Sequence, residues 1–471
     1  MSTADPDTLQ RLEELVAHLA ARDVVGVTIG WVDNNGIVRT RTVPLGELEA
    51  AAHRGVGVTA VFAVFDSHDG ITFAHEGLST PSGDVRLVPD LESVAGGVPL
   101  RGQPGLAWAP GRQLSADGTT WPYDQRAVLE RQVARAAEAG FGVKAGFEME
   151  MVLVEAPEHA DEASQWRPAH QGPAYSANAM LAVDGFVRRL LVDLRAHGIE
   201  IGQLHAEYGG SQVELALSAM DPVALADTQV LTRQTIHAAA KAEGLRACFA
   251  PIATLDGAGN GWHLHTSLTD LETGNNALTG VAGDTDEHGL SAVGRSYLAG
   301  LLRELPGLVA VTAPSTGSLL RRRPGFWAGA YGFWGVENRE AVLRLVPSST
   351  LLGPGHTNVE LKACDASANP YLALAATIGA GLAGVADAAV LPDPVQEDVG
   401  GWDDARREAA GIAPLATTHE QARADLLGSD LVREVLGEDL LGAFVACRDA
   451  DAAWAADRTP EAVVESLRWV Y

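Results

Sequence analysis

Cysteine is scarce. Cys248, Cys364 and Cys447 are the only three in 471 residues, too few and too far apart for a disulfide framework or a thiolate metal cluster. They read as small buried hydrophobes. Positive charge is also short: 34 Lys and Arg stand against 61 Asp and Glu, a formal charge of −27, which excludes general affinity for nucleic acid or an anionic membrane surface. An anionic substrate therefore needs a local basic site. No apolar run approaches a membrane span, and the stretch from Met1 to Asp7 has neither the basic nor the apolar region of a signal peptide. The expected location is the cytoplasm. An internal repeat is absent as well. What is present, 46% hydrophobic and 20% charged residues, suffices for two or three globular domains with large cores.

Within the β-prone run from Lys144 to Val154, Glu148 and Glu150 stand two residues apart. A strand would point both carboxylates to one face while Phe147, Met149 and Met151 pack on the other. Taken alone, the pair also fits an edge strand with a solvated face. In a buried sheet it demands cations or tightly held protons, and nothing obvious in the run neutralises it.

Read in order, residues 8–21 have helical spacing, and strands over 24–32 and 37–43 flank the turn Asp33-Asn34-Asn35-Gly36. Another helix opens at Pro44. A small domain with helices on a mixed sheet accounts for residues 1–111, and a larger one for 112–471. Within residues 58–72 a polar tip, Asp66, Ser67, His68 and Asp69, interrupts a mostly apolar run, which also fits an ordinary turn. Helices are expected over 123–139, 179–197, 222–244, 291–310 and much of the chain beyond 368, with a polar surface loop over 158–172. Residues 202–215 embed Glu207 and Glu214 among strand formers around Gly209-Gly210. A glycine-rich turn, 256–261, runs into a strand over 262–268 that puts His263 and His265 on one face.

Four strand-like segments thus offer Glu148 and Glu150, Glu207 and Glu214, His263, and Glu360. If these strands are neighbours, six hard or borderline ligands suit two Mg²⁺ or Mn²⁺ ions better than structural zinc. Arg321, Arg339 and Arg344 supply guanidinium forks for phosphate; surface ion pairing is their ordinary alternative.

These residues fall within motifs that together resemble those of the type I glutamine synthetases and their relatives, the γ-glutamyl amine ligases. The motifs are Gly146-Phe147-Glu148-Met149-Glu150, His205-Ala206-Glu207 through Glu214, Gly259-Asn260-Gly261-Trp262-His263-Leu264-His265, Arg323-Pro324-Gly325, Glu337-Asn338-Arg339 with Arg344, and Asn369-Pro370-Tyr371. The resemblance spans nearly the whole chain and implies an α+β fold: a small N-terminal β-grasp domain and a catalytic domain with a curved, mostly antiparallel sheet flanked by helices. It implies ATP as co-substrate and sites shared between subunits of a dodecamer of two stacked hexamers. Carried over by residue, Glu150, Glu207 and Glu214 would hold the first metal, and Glu148, His263 and Glu360 the second. Arg321, with backbone near Gly259, would bind glutamate. Arg339 and Arg344 would stabilise the transferring phosphoryl group and the nucleotide phosphates, and His205, His265 and Ser267 would line the nucleotide site.

The departures concern the amine. Ammonia-using members carry a glutamate two residues after the Pro-Gly of the flap; here that residue is Trp327, which cannot act as a base. Their second ammonium-binding group, an aspartate in a D-G-S-S loop, is replaced by Asp66-Ser67-His68-Asp69-Gly70, where Asp66 and Asp69 compete for the role. Lys362 stands where arginine is usual and Ala258 where asparagine is usual, which alters the glutamate pocket. The expectation is an ATP-dependent ligase joining glutamate, through a γ-glutamyl phosphate, to a small primary amine. Trp327 beside Phe326 and behind Arg322 and Arg323 offers a long polycation few counter-charges. Ethanolamine is therefore the first candidate, with polyamines, favoured by cation–π contact, and alkylamines behind it. The rivals are an ammonia-using glutamine synthetase and a catalytically silent regulatory oligomer. The loop Val395 to Gly401 has no tyrosine, so the adenylylation that controls many type I synthetases is not expected here.

Overall fold

Two sheets organise the chain, in a computed structural model that describes residues 6–93, 98–157, 159, 165–281, 283–353 and 355–471. In the first, β1 (Gly26–Val32) and β2 (Val38–Pro44) form the expected antiparallel hairpin. Its turn is closed by Asp33, whose Oδ1 accepts from the amides of Asn35 and Ile37. Gly36 sits there at φ +70°, so close to the backbone of Ser367 that a Cβ would lie 2.6 Å from a carbonyl oxygen. Only glycine fits. β3 (Val56–Thr59), β4 (Asp84–Pro89) and β5 (Leu106–Leu114) complete the sheet in the order β2-β1-β5-β4-β3. The β1–β5 pair is parallel and the others antiparallel, a mixed sheet as the pattern predicted.

The second sheet contains β6 (Phe141–Glu155), β7 (Ile201–Ala206), β8 (Gln212–Leu217), β9 (Leu245–Cys248), β10 (Leu264–Asp270), β11 (Trp334–Val336), β12 (Leu343–Val346) and β13 (Asn358–Leu361). Its order is β11-β12-β13-β10-β6-β8-β7, with β9 also paired to β6. Every pair except β11–β12 is antiparallel, and helices pack around the sheet in an α+β fold. β6 is therefore an interior strand. Phe147, Met149 and Met151 are at most 1% exposed, and Phe147 stacks on Trp262 with ring centroids 4.0 Å apart.

Two expected helices are each divided. Residues 179–197 form Ala177–Ala182 and Asp184–Ala196, because Val183 leaves helical geometry at φ −114°. Residues 291–310 form Ala292–Arg303 and Leu305–Thr312, where Pro306 lacks the N–H that would continue the first ladder. In the stretch 158–172, residues 158 and 160–164 lie outside the described residues; beyond them Ala169 bonds back to Leu153. All three cysteines are buried. Among the described residues no helix is long and apolar enough to cross a membrane.

Buried polar groups tie the two sheets together. Asp124 caps the helix Gln125–Glu138 and also accepts from the Gln113 amide of β5. Arg126 grips Asp227 at 2.9 Å, and Tyr371 donates to the same carboxylate. Arg233 donates to the carbonyls of Ala366 and Gly36, and Asn369 to those of Val32 and Asp33.

Burial pushes the Asp124 carboxyl up to about 6, against the hydrogen bonds that lower it. A carboxyl raised on folding favours the folded chain below its unfolded value near 4, and that contribution, about 3 kcal/mol, is lost as pH rises through about 6. On acidification from about pH 7.5 to about pH 5, Asp124→Asn should gain less thermal stability than the wild type. Equal gains in melting temperature would remove Asp124 from this role.

Candidate active site

Strand register assembles the site. Across β6, β8 and β7 the paired positions are Glu150 with Glu214 and Glu214 with His205. Across β12, β13 and β10 they are Arg344 with Glu360 and Glu360 with His265. Between these rows, Gly261 to His263 continues beside β6, with the Glu148 amide bonded to the His263 carbonyl and the Glu150 amide to that of Gly261. Residues far apart in sequence thus share one sheet face. Gly261 makes this possible, because a Cβ there would lie 2.5 Å from His263 Nε2 and 2.7 Å from Glu150 Oε1.

His263 Nδ1 lies 2.8 Å from Glu148 and 3.4 Å from Glu360, and its Nε2 is 3.9 Å from Glu150. His265 Nε2 is 3.5 Å from Glu148. His205 lies 3.2 Å from Glu214 and 3.7 Å from Glu207. Ligand atoms of Glu148, Glu214 and His263 fall within 4.8 Å of one another, as do those of Glu148, His265 and Glu360, and those of His205, Glu207 and Glu214. Glu148 and Glu214 each belong to two of these groups.

The expectation that nothing neutralises the acids holds only in part. Burial pushes Glu148 up, but bonds with His263 and His265 overcome this and hold it below the usual carboxylate range. Glu360, 1% exposed, is also held low: Lys362, whose Nζ approaches it at 2.9 Å, together with His265 and His263 outweighs burial, and Arg344 Nη1 also lies 2.9 Å away. Glu150 and Glu214 differ. Burial raises both, and the remaining charges and hydrogen bonds do not offset it. His205 is raised to about 9 chiefly by its bond with Glu214. His265 is also raised to about 9, because Glu148 and Glu360 outweigh burial. Under-compensated carboxylates beside imidazoles form a donor set that fits divalent cations with oxygen-rich shells.

Around this cluster, Arg321 is 4% exposed, donates to the Cys364 carbonyl and packs over Gly259, where a Cβ would meet its Cγ at 2.5 Å. Ser267 and His265 line an open cleft of about 620 Å³ together with Lys144, Phe147, Glu148 and His356. Arg339 is exposed on the connection between β11 and β12. Trp327 is 51% exposed at φ +52°. The Asp66–Asp69 loop packs elsewhere, on its own chain's C-terminal helices: Ser67 bonds Asp451, and His68 stacks on Trp454 at 3.7 Å.

Sequence reasoning assigned no role to three further side chains. Gln212 Nε2 donates to Glu150 and to the Gly259 carbonyl, joining the carboxylate cluster to the turn that Arg321 packs over. The Tyr175 hydroxyl bonds Glu207 and is pushed up to about 12, by burial first. Glu340 lies beneath the flap. Only Gln212 left a signal, its place in the motif that ends at Glu214.

The sharing of Glu148 and Glu214 makes a graded outcome for Mn²⁺ binding. The wild type should take up about two ions per chain, Glu207→Gln about one, and Glu148→Gln should weaken both by about tenfold or more. Free Mn²⁺ is read by electron paramagnetic resonance on chelator-treated protein. Unchanged uptake in Glu148→Gln would refute the shared arrangement.

Residues 122–465 match the model for the glutamine synthetase catalytic domain. The chain is 39% identical over 467 residues to the γ-glutamylpolyamine synthetase GlnA3 of Streptomyces coelicolor, covering 99% of this chain and 98% of that protein. It is 31% identical over 431 residues to the glutamine synthetase of Halobacterium salinarum, covering 90% and 89%. A crystal structure described as a novel glutamine synthase homolog superposes with TM-score 0.83 at 30% identity, covering 95% of this chain and 99% of that one. A GmaS/ADP complex shares the fold, with TM-score 0.79 at 24% identity over 95% and 97% of the two chains. The chain belongs to the glutamine synthetase catalytic-domain family and is an ATP-dependent ligase.

Proposed function

We propose that this ligase joins the γ-carboxylate of glutamate to a primary amine of a polyamine. The observation that carries this reading is the flap: the indole of Trp327, which by the resemblance matches the ammonia-using members' glutamate, is 51% exposed. The charges around it also differ from those the sequence suggested. Arg322 turns inward to the carbonyls of Ala313 and Ala416, and Arg323 to those of Leu255 and Gly257. Arg322 thus points away from the flap, Arg323 lies over the Phe326 ring, Glu340 lies under the flap, and the half-exposed Trp327 indole is the aromatic surface left for an ammonium group. This shifts the preference from ethanolamine to a polyamine, and the name of the Streptomyces coelicolor relative supports the same direction.

In this reading Arg321 and Gly259 orient glutamate so that a γ-carboxylate oxygen attacks the terminal phosphorus of ATP and ADP departs. His205, His265 and Ser267 border the nucleotide. Arg339 and Arg344 offset charge on the moving phosphoryl group. The amine lone pair then attacks the acyl carbon, the carbon–oxygen bond to phosphate breaks, and the nitrogen loses a proton. The first metal would be held by Glu150, Glu207 and Glu214 and the second by Glu148, His263 and Glu360, with Glu148 and Glu214 near both groups. Bound Mg²⁺ or Mn²⁺ would supply charge neutralisation at the phosphates. Lys362, engaged with Glu360, would link the second metal position to the glutamate pocket.

Asp66 spends Oδ1 on the amides of His68 and Gly70 within its own turn, whereas the Asp69 side chain is exposed and pairs with Arg39. Asp69 is thus the better placed to serve a neighbouring copy's amine site, which requires a homo-oligomer, the dodecamer that the resemblance implies. Exposed Phe73, at 75%, fits burial in such an assembly.

Phosphate release from ATP and glutamate across spermine, spermidine, diaminobutane, ethanolamine and ammonia tests the amine. A polyamine should exceed ethanolamine and ammonia in kcat/KM by about tenfold or more. A higher value for ethanolamine would overturn the assignment. The assembly is tested separately by light scattering coupled to activity, with turnover expected only in the large oligomer; an active monomer would exclude a shared site.

A further inference from the structure

The flap is clasped by a single carboxylate. Glu340, 6% exposed, accepts from the Gly325 amide through Oε1 and from the Trp327 amide through Oε2, both at 3.2 Å. Gly325 at φ +77° and Trp327 at φ +52° are both left-handed, and the two amides converge on that carboxylate as on an anion-binding concavity. The clasp has its own foundation. The Glu340 amide donates to Asn338 Oδ1, and Asn338 Nδ2 donates to the carbonyls of Val395 and Glu397. Arg323 fastens the other end of the flap to residues 255 and 257 and lies 4.2 Å over the Phe326 ring. Between these anchors the side chains of Phe326 and Trp327 remain 46% and 51% exposed.

We propose that Glu340 is a positioning and specificity residue: it fixes the backbone of Trp327 so that the indole presents to the amine, and it sets a negative charge against the flap backbone. The second function rests on the polyamine reading above. A glutamate at position 327 would carry its charge into the site, where it could take the proton of the attacking nitrogen. Glu340 instead holds its carboxylate against the flap backbone, bonded to the Gly325 and Trp327 amides, where its field acts on a distal ammonium while no base stands at position 327. The flap is then selective for a second positive charge without containing a base. Because Glu340 adjoins Arg339, the same short connection carries both the flap anchor and an arginine assigned to phosphoryl transfer.

Glu340→Gln preserves size but places an amide N–H against one of the two backbone donors and removes the charge. Without substrates, chymotryptic cleavage after Phe326 or Trp327, mapped by mass spectrometry, should rise about fivefold or more as the flap opens locally. In the full enzyme, KM for diaminobutane should rise about tenfold while KM for butylamine rises less than about threefold, with KM for glutamate and ATP little changed. Unchanged cleavage would refute the anchor. Equal rises for the diamine and the monoamine would refute the charge function. If the wild type does not prefer the diamine, the polyamine reading falls and the charge function with it, while cleavage still decides the anchor.

Discussion

Five carboxylates, four on strands of one sheet and Glu207 on the turn after β7, gather in one cluster, and this is the constraint on which the rest of the structure turns. Two like charges about 4 Å apart repel by about 4 kcal/mol at an effective dielectric near 20, so Glu148, Glu150, Glu207, Glu214 and Glu360 cannot converge unless something opposes them. The protein opposes them unevenly. Glu360 is held between Lys362 and Arg344, and Glu148 between two histidines, whereas burial leaves Glu150 and Glu214 raised. The asymmetry makes chemical sense. Acids locked to fixed cations stay charged and in place, and those left short of compensation are where an added cation gains most.

The surrounding architecture holds that cluster rigid. Phe147 and Trp262 stack on the opposite side of the carboxylate strand, and Gln212 fixes one oxygen row to the Gly259 turn. Buried arginines then bind the two sheets to each other through backbone carbonyls and carboxylates rather than through surface pairs. Such contacts are directional and costly to leave unmade, so they fix geometry more firmly than apolar packing alone. The flap follows the same logic, since its arginines are spent on carbonyls and its backbone on Glu340. Its aromatic side chains are left exposed.

The E-x-E spacing, the two histidines two residues apart, and the glycines before them were enough to expect a carboxylate-rich metal site on a strand. The hairpin at Asp33 to Gly36 and most helices were equally legible, because hydrophobic periodicity and turn chemistry are local. The helix breaks at Val183 and Pro306 were not anticipated; the proline gave a local signal that went unused, and Val183 gave none. Trp327 could be recognised as a departure by its place after Pro324-Gly325, but not the direction in which Arg322 and Arg323 point. Sequence adjacency suggested both charges beside the amine, whereas the fold turns Arg322 inward and sets Arg323 between two carbonyls and the Phe326 ring.

The sequence by itself determined the residue types of the acidic and histidine cluster, their strand spacing and the presence of tryptophan at position 327, since these depend on residue type and on period-two alternation. Tertiary structure alone decided which acids are compensated, that Glu148 and Glu214 are shared between ligand groups, that the Asp66–Asp69 loop packs on its own C-terminal helices, and that Glu340 lies beneath Trp327. These depend on strand register and on where a side chain finds its partner. Neither is encoded within the reach of a local pattern.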